Sequence, residues 1–194
     1  MRKTASSKAK HPNVSLVGTD EKLIQAADSE FRQHGFAGTD TNKIARSAGF
    51  APQTFYRWFD NKIEIFLAVY LAWENEEGKT LSALVNAKAS SKRMAETIIK
   101  HHRDYLIFRR SLRQLSVEDP EVRAARAQSR LRQLAQIKQW ATVGALSRAE
   151  LAAILLQIER LADAIAEGEF LDLDLSESVA TSALSDLISR LRSG

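Results

Sequence analysis

From Thr19 to Leu191 the large apolar residues return at steps of three and four, and that spacing builds helices with one buried stripe each. Leu23, Ile24, Ala27 and Phe31 make the first stripe, and Phe66, Val69, Tyr70 and Trp73 a later one. Met94, Ile98, His101, Tyr105, Phe108, Leu112 and Leu115 read as one long buried face. Leu151, Ile154, Leu155, Ile158, Leu161, Ala162 and Ile165 form another, and Ala180, Leu184, Leu187, Ile188 and Leu191 the last. Only 3 Pro and 8 Gly punctuate 194 residues, too few for the many turns of an all-β fold. The expected fold class is all-α.

The breaks between stripes carry start and stop signals. Thr19 is the expected N-cap of the first helix, with Asp20 and Glu21 facing its dipole, and Gly35 is the expected stop. Asp40 caps a second helix that runs to Ala48, and Gly49 ends it. Pro52 opens a short third helix reaching Phe59, because a missing N–H costs nothing in the first helical turn. Asp60 or Asn61 caps a fourth helix, and Asp119-Pro120 starts another after a break. Ser147 and Glu150 form a capping box, residues 168–175 a loop, and Ser176 caps the final helix. Phe31, Ile44, Phe50, Phe55 and Phe59 are assigned to the core of the first unit.

Charge is unevenly spread. Residues 1–75 carry 10 Lys/Arg against 8 Asp/Glu, residues 76–148 carry 15 against 7, and residues 149–194 carry 3 against 9. The acidic, Leu-, Ile- and Ala-rich end suits contact with protein better than with a polyanion. Residues 1–18 hold Arg2, Lys3, Lys8 and Lys10 without an acid and read as a basic flexible arm. The absence of cysteine excludes disulfides and thiol catalysis and fits a cytoplasmic location. No apolar run approaches the length of a membrane span, and the basic start has no apolar segment behind it.

Three short helices with a glycine turn between the second and third fit a helix-turn-helix, which places its last helix in the major groove of DNA. Outward on that helix stand Pro52, Gln53, Thr54 and Arg57. Gln pairs bidentately with adenine, while Thr offers a hydroxyl and a methyl. Tyr56 has a ring to bury and a hydroxyl for a phosphate. Lys62 opposes the dipole at the start of the fourth helix, which an anion bound there explains.

The run GFAGTDTNKIARSAGFAPQTFYRWFDNK, residues 35–62, resembles the DNA-binding domain of the TetR family, the tetracycline-repressor type of bacterial regulators. The resemblance spans about Val17 to Glu77, which divides the chain into the arm at 1–18, a DNA-binding domain at 17–77 with its motif at 40–59, and a C-terminal regulatory and dimerisation domain at 78–194. It adds Thr41 and Asn42 as phosphate or edge-base contacts beside Pro52, Gln53 and Thr54 in the groove and Tyr56, Arg57 and Lys62 on the backbone. Two positions depart from the family: Gln53 stands where glycine is frequent, and Asp40 where Ser or Thr is usual.

One short recognition helix makes few base contacts, so such modules act as dimers on two half-sites. The wide apolar faces of the last two helices are expected to supply the symmetric interface, through Leu151, Leu155, Ile158, Ala162, Leu184, Leu187, Ile188 and Leu191. The middle segment is then expected to hold a small-molecule effector against Phe66, Tyr70, Trp73, His101, Tyr105, Phe108 and Trp140. The implied function is a dimeric repressor of a palindromic double-stranded DNA operator, released by that effector. The alternative is a regulator of DNA controlled by protein or by nothing. An enzyme is not expected: no cofactor motif is present, and His101 and His102, being adjacent, do not share a helix face as metal ligands.

Overall fold

The structure, a computed structural model, describes residues 18–139 and 146–193. Trp140 and all but the last residue of the basic arm lie outside the described residues. Among the described residues are nine α-helices and one 3-10 turn, with no strand: α1 (Thr19–His34), α2 (Thr41–Ser47), α3 (Pro52–Phe55), α4 (Lys62–Asn86), α5 (Ser91–Asp104), α6 (Leu106–Glu118), α7 (Pro120–Lys138), α8 (Arg148–Glu167), the turn Leu171–Leu173, and α9 (Glu177–Ser193). The chain forms two compact units, one ending at Val69 and one beginning at Tyr70. The change of unit falls inside α4, earlier than the residue 77 boundary read from the sequence.

In the first unit Leu23, Ala27 and Phe31 of α1, Ile44 and Ala45 of α2 and Phe55 of α3 are fully buried, with Ile65 and Phe66 of α4. Phe31, Phe36 and Phe66 meet ring to ring with centroids 5.1–6.0 Å apart. Each such side chain contributes about 1.5–3 kcal/mol by leaving water. Helix α1 begins one residue off the expected register. Gly18, left-handed at φ 81°, is its N-cap, and Thr19 is a buried helical residue rather than the cap. Asp40 caps α2 as expected, accepting from the Lys43 N–H at 2.8 Å. Asn61 rather than Asp60 receives the Glu64 N–H at the start of α4.

The second unit is centred on α5, α8 and α9, whose Met94, Ala95, Ile98, Ile99, Leu151, Ile154, Ile158, Ala162, Leu184 and Ile188 form one apolar cluster. Helices α6 and α7 pair with each other and each touches α8. The capping box at Ser147 and Glu150 is present with both of its hydrogen bonds.

The single long helix expected over residues 94–115 is instead two. Tyr105 (φ −118°, ψ 21°) ends α5 and begins α6, although neither Gly nor Pro marks the place. The reason is tertiary. His102 Nδ1 lies 3.0 Å and Arg109 Nε 2.6 Å from the same Asp163 Oδ1. In one continuous helix their Cα atoms would be separated by about 10.5 Å along the axis. The break brings both onto one buried carboxylate.

Candidate nucleic-acid interface and effector cavity

The helix-turn-helix of the first unit is built from very little chain. Ile44 and Ala45 pin α2, and Gly49 turns back at φ 80°, a conformation that disfavours a side chain. The Phe50 N–H then closes on the Ala45 carbonyl at 2.9 Å. Pro52 starts α3, which is regular only to Phe55, shorter than the expected run to Phe59; Tyr56 is its C-cap and Phe59 is buried beyond it. Phe55 is the anchor: fully buried, it packs edge-on to Tyr56 and against Phe59. Around this anchor Asn42, Gln53 and Arg57 are exposed, and Thr41, Pro52, Thr54 and Lys62 are half-buried.

Tyr56 is 51% exposed, and its hydroxyl sits 3.0 Å from the Thr41 hydroxyl, joining α3 to α2. One of the two O–H groups donates in that bond, so the other keeps its proton for an outside acceptor. A phosphate oxygen fits that requirement. Glu30 of α1 braces the same region by accepting from Thr39 at 3.0 Å and Ser47 at 2.7 Å. The Ser47 bond leads the effects that hold the Glu30 carboxyl below its ordinary range. Nothing in the sequence announces this brace, because its partners are nine and seventeen residues away. Exposed Lys43 and Arg46 on α2 were likewise passed over.

Lys62 has partners of its own within the chain. Its ammonium donates to the Phe36 carbonyl at 2.8 Å and the Thr39 carbonyl at 3.0 Å, and lies 4.0 Å from the centre of the Phe36 ring. Burial lowers its pKa, with Asp40 acting the other way. Two carbonyls, one at each end of the α1–α2 loop, account for a cation at this helix start, so the dipole mismatch no longer demands a bound anion. Lys62 is first of all a brace for the loop that carries Asp40.

In the second unit a cavity of about 510 Å³ is walled by α4, α5, α6, α7 and α8. Leu81, Ile98, Ile137, Leu155 and Ile158 supply apolar walls, with Trp73, Glu77, His102, Arg109 and Gln133 among the polar groups. Side chains bridge α4 to α7: Arg132 grips Glu74 with two nitrogens, and Gln136 Nε2 donates to Ser82 at 2.7 Å. Of the expected pocket residues, Trp73 alone lines this cavity. Phe66 belongs to the core of the first unit, and Phe108 is buried. Tyr70, His101 and Tyr105 pack around the Trp73 ring instead. Trp140 lies outside the described residues. Aromatic spacing identified a buried face but did not distinguish packing from lining.

Beside the cavity lies an ionic cluster built from four helices. Asp163 of α8 accepts from Arg109 at 2.6 and 3.2 Å, pairs with Arg113 at 2.9 Å and meets His102 at 3.0 Å. The other nitrogen of His102 is 3.5 Å from Glu77. Burial disfavours the Asp163 charge, but its bonds to His102 and Arg109 outweigh this and hold the carboxyl far below its usual range. Glu77 is lowered for the same reasons, burial being overcome by His102 and the neighbouring cations.

The expected dimer residues also need correcting. Leu151, Leu155, Ile158, Ala162, Leu184, Ile188 and Leu191 are all buried in the second unit's own core, where they meet α5 and one another. They are therefore spent before a second copy arrives. On their outer side α8 and α9 carry a groove lined by Gln157, Arg160, Leu161, Ala164 and Leu187 together with the charged Arg113, Asp163, Glu167 and Glu169. Only Leu187 of the expected set is on it.

Residues 23–69 match the family model of the bacterial regulatory proteins, tetR family. No curated protein matches the chain in sequence. Among solved structures, the fatty acid degradation regulator FadR from Bacillus halodurans is 16% identical with a TM-score of 0.66, covering 92% of this chain and 96% of its own. FadR from Bacillus subtilis, in complex with stearoyl-CoA, is 18% identical with a TM-score of 0.60 over 90% and 98% of the two chains. A transcriptional regulator from Saccharomonospora viridis in complex with choline is 14% identical with a TM-score of 0.64 over 89% and 96%.

Proposed function

We propose that this chain, whose head matches the TetR-family model and whose fold is that of TetR-family regulators, is a DNA-binding transcriptional regulator that acts as a homodimer on a palindromic operator and is released by a small molecule. The observation that carries the reading is the exposed surface around α3. Gln53 and Arg57 are exposed on a turn fixed by the buried Phe55 ring, beside a Thr41–Tyr56 hydroxyl pair with one proton to give. Gln53 reads a base edge, Pro52 and Thr54 pack against it, and Asn42, Thr41, Tyr56 and Arg57 hold phosphates, with Lys62 steadying the loop behind them. The second copy docks on the α8–α9 groove through Leu161, Ala164 and Leu187.

Control follows from α4. The same helix gives Lys62, Ile65 and Phe66 to the head and Trp73, Glu74 and Glu77 to the cavity wall. A molecule that binds the cavity better in one setting of α4 than in another shifts the population of the DNA-competent form. Its leverage equals that difference in affinity and no more. Selection of duplexes from a random pool by the purified chain tests the reading. Enrichment of an inverted repeat supports it, and a pool that stays random removes it.

A further inference from the structure

Helix α2 carries Thr41 and Asn42 but has only seven residues, too few to persist without tertiary support. Its buried side chains, Ile44 and Ala45, are neighbours in sequence and lie at its middle. A pair at one level holds the helix to the core and still lets it rock about that point. Whatever fixes its two ends therefore sets where Thr41 and Asn42 stand.

One carboxylate of α1 reaches both ends. Glu30 Oε2 accepts from the Thr39 hydroxyl at 3.0 Å, one residue ahead of the N-cap, and Oε1 accepts from the Ser47 hydroxyl at 2.7 Å, on the last residue of α2. Glu30 directly precedes the fully buried Phe31, so its backbone is fixed by the core of the head. Thr39 is 4% exposed, and its carbonyl accepts from Lys62 at 3.0 Å, so the entry to α2 is gripped from α1 and from α4. The Ser47 bond, with burial acting the other way, leads the effects that keep the Glu30 carboxyl below its ordinary range, and an ionised carboxylate can only accept. Thr39 and Ser47 thus both spend their protons on Glu30, and neither hydroxyl is left to donate to a phosphate. The Thr41–Tyr56 pair, by contrast, keeps one proton to give.

We propose that Glu30 is a positioning residue for DNA binding: without touching DNA, it ties both ends of α2 to α1 and so sets the tilt at which Thr41 and Asn42 meet the phosphate backbone. This role rests on the reading of the head as a DNA-binding module. The test uses the full chain and the inverted repeat it selects from random duplexes, with affinity titrated well below the melting temperature. Glu30→Ala is expected to weaken the repeat at least about fivefold in the folded chain. Glu30→Gln, whose amide oxygen accepts from one hydroxyl and whose NH2 donates to the other, is expected to return to within about twofold of the parent. Ser47→Ala, which releases one end only, should fall between parent and Glu30→Ala. Asn42→Ala should cost the Glu30→Ala chain less than it costs the parent, because the contact is already misplaced there, whereas Gln53→Ala should cost both alike. A lower melting temperature for Glu30→Ala with unchanged affinity of the folded chain makes its role one of stability alone and overturns the proposal. Glu30→Gln as weak as Glu30→Ala, or costs of Glu30→Ala and Asn42→Ala that simply add, overturn it as well. Should Glu30→Ala fail to fold, Ser47→Ala decides, and parent affinity in that variant refutes the tether. If the parent selects no repeat, the DNA-binding reading itself fails and takes this role with it.

Discussion

Replacing Asp163 with Asn is the sharpest perturbation of the regulatory unit. The carboxylate is 5% exposed and neutralises Arg109, itself 3% exposed, through two hydrogen bonds. Asn keeps the volume but removes the charge, and among the described residues no second carboxylate lies within ion-pair distance of Arg109, whereas Arg113 retains Glu167. A buried cation stripped of its partner costs about 3–5 kcal/mol. With a urea slope of about 2 kcal/mol/M, the midpoint of the C-terminal unit should fall by roughly 1.5–2.5 M at pH 7. Adding Arg109→Met removes the stranded charge, so the double variant should be more stable than Asp163→Asn alone. The pH dependence has a definite sign. The folded carboxyl is depressed, so its contribution is complete above the unfolded value of about 3.9 and is lost as pH falls below it toward the folded value. The gap between parent and Asp163→Asn should therefore be widest near neutrality and narrow below about pH 4. A loss under about 1 kcal/mol at pH 7, or a double variant as weak as the sum of both singles, refutes the assignment of Asp163 as the charge that makes Arg109 tolerable.

Three further outcomes follow from the head and the outer faces of α8 and α9. Gln53→Ala should relax preference at one or two base pairs by about 1–3 kcal/mol in competition binding, while Tyr56→Phe weakens all sites alike and leaves the preference intact. Lys62→Met should lower the stability of the head by about 1.5–3 kcal/mol, through loss of its bonds to the Phe36 and Thr39 carbonyls, as read by thermal melting without DNA. Unaltered melting with weakened DNA binding would restore the phosphate-clamp reading. Leu187→Glu, half-buried on the outward groove, should yield a folded monomer by sedimentation, and a dimer that persists would move the interface elsewhere.

The legible parts of this chain were those encoded by neighbours in sequence. The Asp40 cap, the Gly49 turn, the Pro52 start and the capping box at Ser147 each depend on residues a few positions apart, and each is present. The break at Tyr105 was invisible because its cause is a carboxylate on α8, more than fifty residues away. The intrachain partners of Lys62 were invisible for the same reason, its two carbonyls lying 26 and 23 residues earlier. The apolar stripes of α8 and α9 marked buried faces correctly. Periodicity records that a face leaves water, however, and not whether its cover is the same chain or another copy. The cavity was hidden because Glu77, His102 and Arg109 look like solvated charge in sequence, while the aromatic residues that look like a binding site are packing around Trp73.

The central claim is that two recognition turns are held one turn of DNA apart by one dimer. It is tested by affinity for the selected inverted repeat against the same repeat with five base pairs inserted at its centre. Five base pairs rotate one half-site by about half a turn, out of reach of a rigid pair spaced at about 34–36 Å. The account predicts that the insertion reduces affinity to that of an isolated half-site, and that ten inserted base pairs do not restore the parent value. Equal binding to the parent and the five-base-pair insertion would contradict it, because each head would then be reading its half-site alone.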